Sequence, residues 1–409
     1  MKNHKLINFL LTIIMLLLTL LSVEYVVEHY LIQLMPIKFQ FSLPHGLSVT
    51  SQSSKQNRIP KNYIAIVGDS YAQGKGDWLL SNDPNANEAF HSAHVLNKLT
   101  DRDVITFGRS GASNIEGWVR EPIAKYAFIH NKIDADFAKP DIVLAYFYAG
   151  NDLTENVLQT KASFIPQFTE AALSDLNAWD TYFAREVKER KVAPYSNQLG
   201  NTGWLVRSVF KIIKNEFKAN DKVKDETSIF VHNPIGEINR VWIGGQAVGI
   251  PDGLQSPSLE LNHDETELGL LVLNQSLRYL KQYFKDSRIV IVYIPSVLES
   301  YNIASETVSI SSIETSHEVL KRNVYSKAEL SQRSDEIANS VKTAAMANNI
   351  DFLDARPQVK AAATLDKIHG PKDWRHFNRK GYEALSLAIA CWLAEKEITN
   401  PSSQLQCTL

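Results

Sequence analysis

Five short apolar runs set the limits on how this chain folds. Tyr63–Val67, Val104–Phe107, Ile142–Tyr148, Ile289–Ile294 and Ile350–Leu353 are continuous rather than alternating. A strand with one wet face alternates apolar and polar residues, so an unbroken apolar run reads as a strand covered on both faces. Between the runs the pattern turns helical, at Asn87–Leu99, Leu268–Phe284, Ser326–Asn348 and Arg379–Lys396. Strand and helix in alternation predict an α/β fold, with a parallel five-stranded sheet covered by helices on both faces and joined by right-handed crossovers. In such sheets function gathers at the carboxyl ends of the strands.

The first sixty residues follow other rules. Lys2, His4 and Lys5 precede the run Leu6–Val23, in which Asn8 is the one strongly polar side chain. Eighteen helical residues extend about 27 Å, close to the hydrocarbon thickness of a bilayer. The alternative is a cleaved signal peptide. No small-x-small cleavage site follows the run, and Glu24, Tyr25, Glu28 and Tyr30 continue a helical pattern to Pro36. We therefore expect residues 1–36 to form a cytoplasmic tip and an uncleaved transmembrane anchor. Lys2 and Lys5 stay inside, and the rest of the chain lies outside the cytoplasm, periplasmic in a Gram-negative bacterium. Residues 43–60, rich in Ser, Gln and Pro, read as a linker. The folded domain is expected over 62–398, with a tail at 399–409.

The net charge of −2 over 409 residues gives no reason to expect a nucleic-acid partner. The two cysteines, Cys391 and Cys407, form no metal-binding pattern with histidine. In an oxidising compartment they would form one disulfide; the other reading is two unrelated thiols.

Three strand ends carry a glycine turn with a small polar group. The first is Gly68-Asp69-Ser70, the second Gly108-Arg109-Ser110-Gly111, and the third Gly150-Asn151-Asp152. Taken alone, Ser70 is as well explained as the cap of a short helix. Together the three turns offer what acyl transfer needs: a serine hydroxyl, and N–H groups aimed where an oxyanion develops. The natural donors are the Ser70 N–H, the Gly111 N–H and the Asn151 side-chain amide. A base comes from "DWRHFNRKGYEAL", where Asp373 stands three residues before His376, just ahead of the last helix. In a short turn, Asp373 orients the imidazole and its other nitrogen faces Ser70.

These blocks resemble those of the SGNH/GDSL-type hydrolases: "GDSY" at Ser70, "GRSGAS" at Gly111, "GND" at Asn151 and "DWRH" at Asp373 and His376, in the family's order. The resemblance covers Asn62 to about Leu153 and Arg288 to Glu395. It implies a three-layer α/β/α flavodoxin-like core. It also implies Ser70 as nucleophile, His376 as base, Asp373 as its orienter, and Ser70, Gly111 and Asn151 as the oxyanion hole. No metal or organic cofactor is implied. The expected activity is hydrolysis of an acyl ester, often acetyl in this family, on a glycan or other small ester outside the cytoplasm. An O-acetyltransferase modifying a cell-surface polysaccharide would use the same site, and an inactive binding or assembly module is the third class. A lipase fits less well, for want of a long apolar lid.

About 135 residues separate Asp152 from the fourth strand, far more than a crossover needs. The insertion, 154–265, holds an amphipathic helix candidate at Trp204–Phe217 and a turn or hairpin at Val241–Pro257. It leaves the rim of the site directly after the oxyanion asparagine, so it reads as a substrate cap; the other reading is a packing elaboration.

Overall fold

The computed structural model describes residues 2–31, 49, 52, 54–56, 59–77, 92–133, 136–190, 235–314, 319–398, 405 and 407. The expected helix Trp204–Phe217, most of the linker 43–60, residues 87–91 of the helix expected at Asn87–Leu99, and most of the tail 399–409 lie outside them. The chain divides into two units, 1–53 with 191–231 and 54–190 with 232–409. The described part of the first is chiefly a helix, Lys2–Val26, continued by a wider turn, Val27–Leu31. Its stretch Lys5–Val26 has a mean hydropathy of 2.6 and is long and apolar enough to cross a membrane. Thr12 and Thr19 donate their hydroxyls to the carbonyls of Asn8 and Met15 one turn back, which pairs both groups within the helix.

The second unit is built on five parallel strands: β1 (Tyr63–Val67), β2 (Asp103–Thr106), β3 (Ile142–Tyr148), β6 (Arg288–Ile294) and β9 (Asp351–Asp354). Their order across the sheet is β2-β1-β3-β6-β9. The register pairs Ile64 with Val104 on one side and Ile142 on the other, Leu144 with Val290, and Val292 with Leu353. Every residue of β1 and β3 is buried, which is why their sequences do not alternate. Each fully buried aliphatic side chain there contributes about 1.5–3 kcal/mol.

The helices form two sets. Ser92–Thr100, Arg356–Leu365 and Arg379–Glu395 pack together; Asp152–Gln159, His263–Tyr283 and Lys327–Ala347 pack together. With the sheet they make the three-layer α/β/α core. The order reverses between β1 and β3, and at such a switch point the strand ends leave a crevice.

Two hairpins are added to this core. The strands β4 (Ile235–Ile243) and β5 (Gln246–Pro251) meet at Gly244 and Gly245, whose φ values of 57° and 77° suit the turn that matches strand twist. This is the hairpin expected near Val241, begun six residues earlier. The second, β7 (Thr307–Glu314) with β8 (Val319–Ser326), was not anticipated from the sequence.

Candidate active site

The site grows from the end of β1. Gly68 has φ +145°, and a Cβ there would stand 2.9 Å from the Tyr146 carbonyl oxygen, so the turn admits no side chain. Asp69 caps the four-residue helix Ser70–Gln73 by accepting the Tyr71 amide at 2.9 Å. Ser70 is the first helical residue and is 6% exposed. Its Oγ donates to Asp69 Oδ2 at 3.2 Å. Burial raises the pKa of Asp69, against the pull of the Tyr71 amide, the His376 charge and the Ser70 hydroxyl.

The loop after β2 is stitched to that helix. The Arg109 amide donates to the Gly68 carbonyl at 3.1 Å and the Ser110 amide to Gln73 Oε1 at 2.9 Å. A Cβ at Gly108 would lie 2.3 Å from the Gln73 nitrogen. Gly111, at φ +65°, is exposed, and a Cβ there would meet nothing within 4 Å. Its glycine is demanded by backbone conformation, and open space lies above it.

Asn151 begins the helix Asp152–Gln159, but among the described residues its side chain makes no capping bond and its buried Oδ1 has no partner. Asp152 is 1% exposed, and its Oδ2 accepts the Tyr148 amide and Asn114 Nδ2, both at 3.1 Å. Burial, and then the Asp69 charge, push its pKa well above the usual carboxylate range. Asn114 and Asn156 complete the link between the second and third loops: the Asn114 amide donates to Asn156 Oδ1 at 2.9 Å, and Asn156 Nδ2 donates to Asn114 Oδ1 at 2.7 Å.

Asp373 and His376 sit on the loop before the last helix. Asp373 Oδ2 and His376 Nδ1 are 2.6 Å apart, and Asp373 Oδ1 accepts the Arg375 amide at 2.9 Å. Burial works to raise the Asp373 pKa, but the His376 bond and charge and the Arg375 amide bring it below its ordinary value. Asp77, on the segment that leaves the Ser70 helix, accepts the amides of Lys372 at 3.2 Å and Asp373 at 2.5 Å. Tyr71 closes the arrangement: its hydroxyl donates to the Arg375 carbonyl at 2.9 Å, and its ring lies 5.5 Å from the His376 ring. Among the described residues, Ser70 Oγ is hydrogen-bonded to Asp69 and not to His376. Such bonds commonly tighten only when substrate is bound.

All five residues singled out in the sequence therefore stand at the carboxyl edge of the sheet or on the loop packed against it. Sequence reasoning missed Asp77, Asp152 and the Asn114–Asn156 pair. Asp152 is named in the sequence only as part of the "GND" turn, and its polar neighbours Asn151, Thr154 and Glu155 give no sign of its burial; nothing marks Asp77. Among the described residues no group of three His, Cys, Asp or Glu could hold a metal ion.

The model of the GDSL-like lipase/acylhydrolase family matches residues 64–389. The chain belongs to that family. As a GDSL-like acylhydrolase it is an ester-bond hydrolase, and the match spans all of the loops just described. No curated protein matches the sequence. Among solved structures, an extracellular lipase from Streptomyces rimosus is similar at 12% identity and TM-score 0.32, covering 80% of this chain and 97% of that one. An acetyl xylan esterase from the rumen bacterium Butyrivibrio proteoclasticus is similar at 10% identity and TM-score 0.35, covering 84% of this chain and 66% of that one.

Proposed function

We propose that this acylhydrolase removes acyl groups, acetyl foremost, from a glycan outside the cytoplasm, with Ser70 as nucleophile. The observation that carries the reading is the pairing of Asp373 with His376, held by Tyr71 and Asp77 against the helix that begins at Ser70. In this mechanism Ser70 Oγ leaves Asp69 and turns to His376 Nε2, which takes its proton as Oγ attacks the ester carbonyl. Asp373 holds the proton on Nδ1 and stabilises the imidazolium. The Ser70 and Gly111 amides and the Asn151 side chain receive the oxyanion. His376 returns the proton to the leaving alcohol, and water then releases the acyl group with the same base. The unspent Asn151 amide and the open space at Gly111 support these roles. The apolar helix Lys5–Val26 supports a membrane anchor, with residues 62–398 as the catalytic domain outside and part of 154–265 as its cap.

An organophosphonate ester tests the assignment. It should label the full-length protein one-to-one at Ser70, and His376→Ala should abolish labelling. Asp373→Asn should leave an intermediate rate, because a base remains but its tautomer is no longer fixed. Asn151→Ala should slow labelling and acetyl-ester cleavage by about 10²–10³, or about 3 kcal/mol. A folded Ser70→Ala protein that keeps full esterase activity would show the nucleophile to lie elsewhere.

A further inference from the structure

Behind the loop that carries Asp373 and His376 lies a cavity of about 610 Å³ that the ester chemistry does not use. Its wall includes Lys367, His369, Lys372, Trp374, Arg379 and Lys380. Four of these six are cations, in a chain of net charge −2. Lys380 is paired with Asp366 and Arg379 with Glu383. Lys367 and Lys372 form no ion pair among the described residues. The acids that also line the cavity are committed: Asp77 accepts two backbone amides, and Asp366 accepts Lys380 and the Lys367 amide.

His369 adds an independent observation. It is 1% exposed. The Tyr301 hydroxyl oxygen accepts the amides of Ile368 at 3.0 Å and His369 at 3.2 Å. The phenolic hydrogen then needs an acceptor, and His369 Nδ1 lies 3.1 Å away. An accepting Nδ1 puts the ring proton on Nε2. Burial keeps the ring neutral by pulling its pKa down to about 3. Nε2–H is therefore a buried donor, and it has no acceptor among the described residues. Buried donors are almost always paired, and this orphan belongs to a residue that lines the cavity, so an acceptor is wanting beside it.

Uncommitted lysines and an orphan N–H in one cavity suit an anionic oxygen group. We propose that this cavity binds a carboxylate of an acidic glycan substrate, at a sugar removed from the one whose ester Ser70 cleaves; the proposal rests on the Ser70 reading. Lys372 directly precedes Asp373, and Asp77 holds the amides of both, so cavity and reaction centre share one loop. A polymer reaches both, whereas a small ester reaches only the second. Trp374, with Lys367 5.6 Å from its ring, adds an apolar wall beside the charge.

The test uses the full-length protein in detergent. Acetylated polygalacturonate should show a KM at least tenfold below that of acetylated xylan, and the advantage should shrink with added salt. Lys367→Glu should erase it while leaving kcat/KM for p-nitrophenyl acetate within twofold. His369→Phe should raise the polygalacturonate KM several-fold, and the milder Lys367→Gln should lie between the parent and Lys367→Glu. Calorimetry with trigalacturonate should show binding in the parent and at least tenfold weaker binding in the charge-reversed variant, independently of turnover. Three results would overturn the proposal: equal KM values for the two polysaccharides, calorimetric binding of inorganic phosphate but not of trigalacturonate, or a charge-reversal effect confined to vesicles containing phosphatidylglycerol. Cleavage of p-nitrophenyl acetate that survives Ser70→Ala would instead mark failure of the Ser70 reading, with the calorimetry still reporting on the cavity.

Discussion

At the scale of single residues, the candidate site holds buried carboxylates whose pKa values are displaced in opposite directions. Asp373 is pulled below its ordinary pKa by His376, so it stays charged where an imidazolium must be stabilised. Asp152 is pushed the other way by burial. Folding therefore binds a proton at Asp152 between the ordinary carboxylate pKa and the raised one. The stability this contributes is complete below about pH 4 and is lost as the pH rises through the raised pKa. Asp152→Asn copies the protonated form and keeps an oxygen for Tyr148 and Asn114. We expect the variant to be at least as stable as the parent at pH 8, with its advantage fading toward pH 4.5. Urea midpoints measured across that range check this, and parallel curves would mean that Asp152 does not change protonation on folding. Asp69 shifts in the same direction and its charge acts on Asp152, so the difference between the curves reports on the two carboxylates together.

At the scale of elements, the loop bearing Gly111 is held by an ion cluster under the sheet edge. Glu121, at the start of the helix Glu121–Phe128, is wholly buried and bonds Arg109 at 3.0 Å and Arg190 at 2.6 Å, with Lys125 at 3.6 Å. Lys125 in turn donates to the Phe107 carbonyl at 3.1 Å, so both ends of the loop's first half are tied to one carboxylate. Removing that carboxylate leaves the buried Lys125 ammonium uncompensated and the half-buried Arg190 without this partner. Glu121→Ala should cost about 3–5 kcal/mol in urea unfolding and should slow phosphonate labelling even where the protein is folded; a loss under about 1 kcal/mol would show the cluster to be spectator charge. Little of this was legible in the sequence: Glu121 and Lys125 stand four apart on one helix, but the links to positions 109 and 190 follow no period. The five core strands were legible because burial on both faces writes itself as an unbroken apolar run, and the places of Ser70, Gly111 and Asn151 beside the sheet because glycine turns mark strand ends. Helix starts were less so: His263–Tyr283 opens at a capping box between Asn262 and Glu265, ahead of the apolar period at Leu268 that marks only its buried face. The ribbon β7–β8 was passed over because Val308 and Ile310 alternate with serines, and a reading tuned to continuous runs does not register alternation.

At the scale of the whole molecule, two features far apart in sequence bear on one question, the compartment in which the enzyme works. Lys5–Val26 extends about 33 Å as a helix, enough to cross a bilayer. Lys2 and Lys5 at its start favour retention of that end in the cytoplasm. At the other end of the chain, Cys391 on the last helix and Cys407 in the tail form a disulfide, with Cα atoms 5.5 Å apart. Such a bond persists where the surroundings are oxidising and is kept reduced in most cytosols. If the helix anchors the chain with its catalytic unit outside, both features have one cause, and removing the helix must change the state of the cysteines. We expect the full-length protein, made in cells and alkylated under denaturing conditions with a bulky maleimide, to show no modified thiol until it is reduced. A version lacking residues 1–36 should be retained in the cytoplasm and take two labels without reduction. A phosphatase that is active only outside the cytoplasm, fused after Leu409, should be active in the first and silent in the second. Two free thiols in the full-length protein, or a silent phosphatase, would place the catalytic unit inside. N-terminal sequencing of the mature chain separates anchor from signal peptide: Met1 or Lys2 at the start means that the helix is retained, whereas a start near Ser22 or beyond means that it directs export and is then removed.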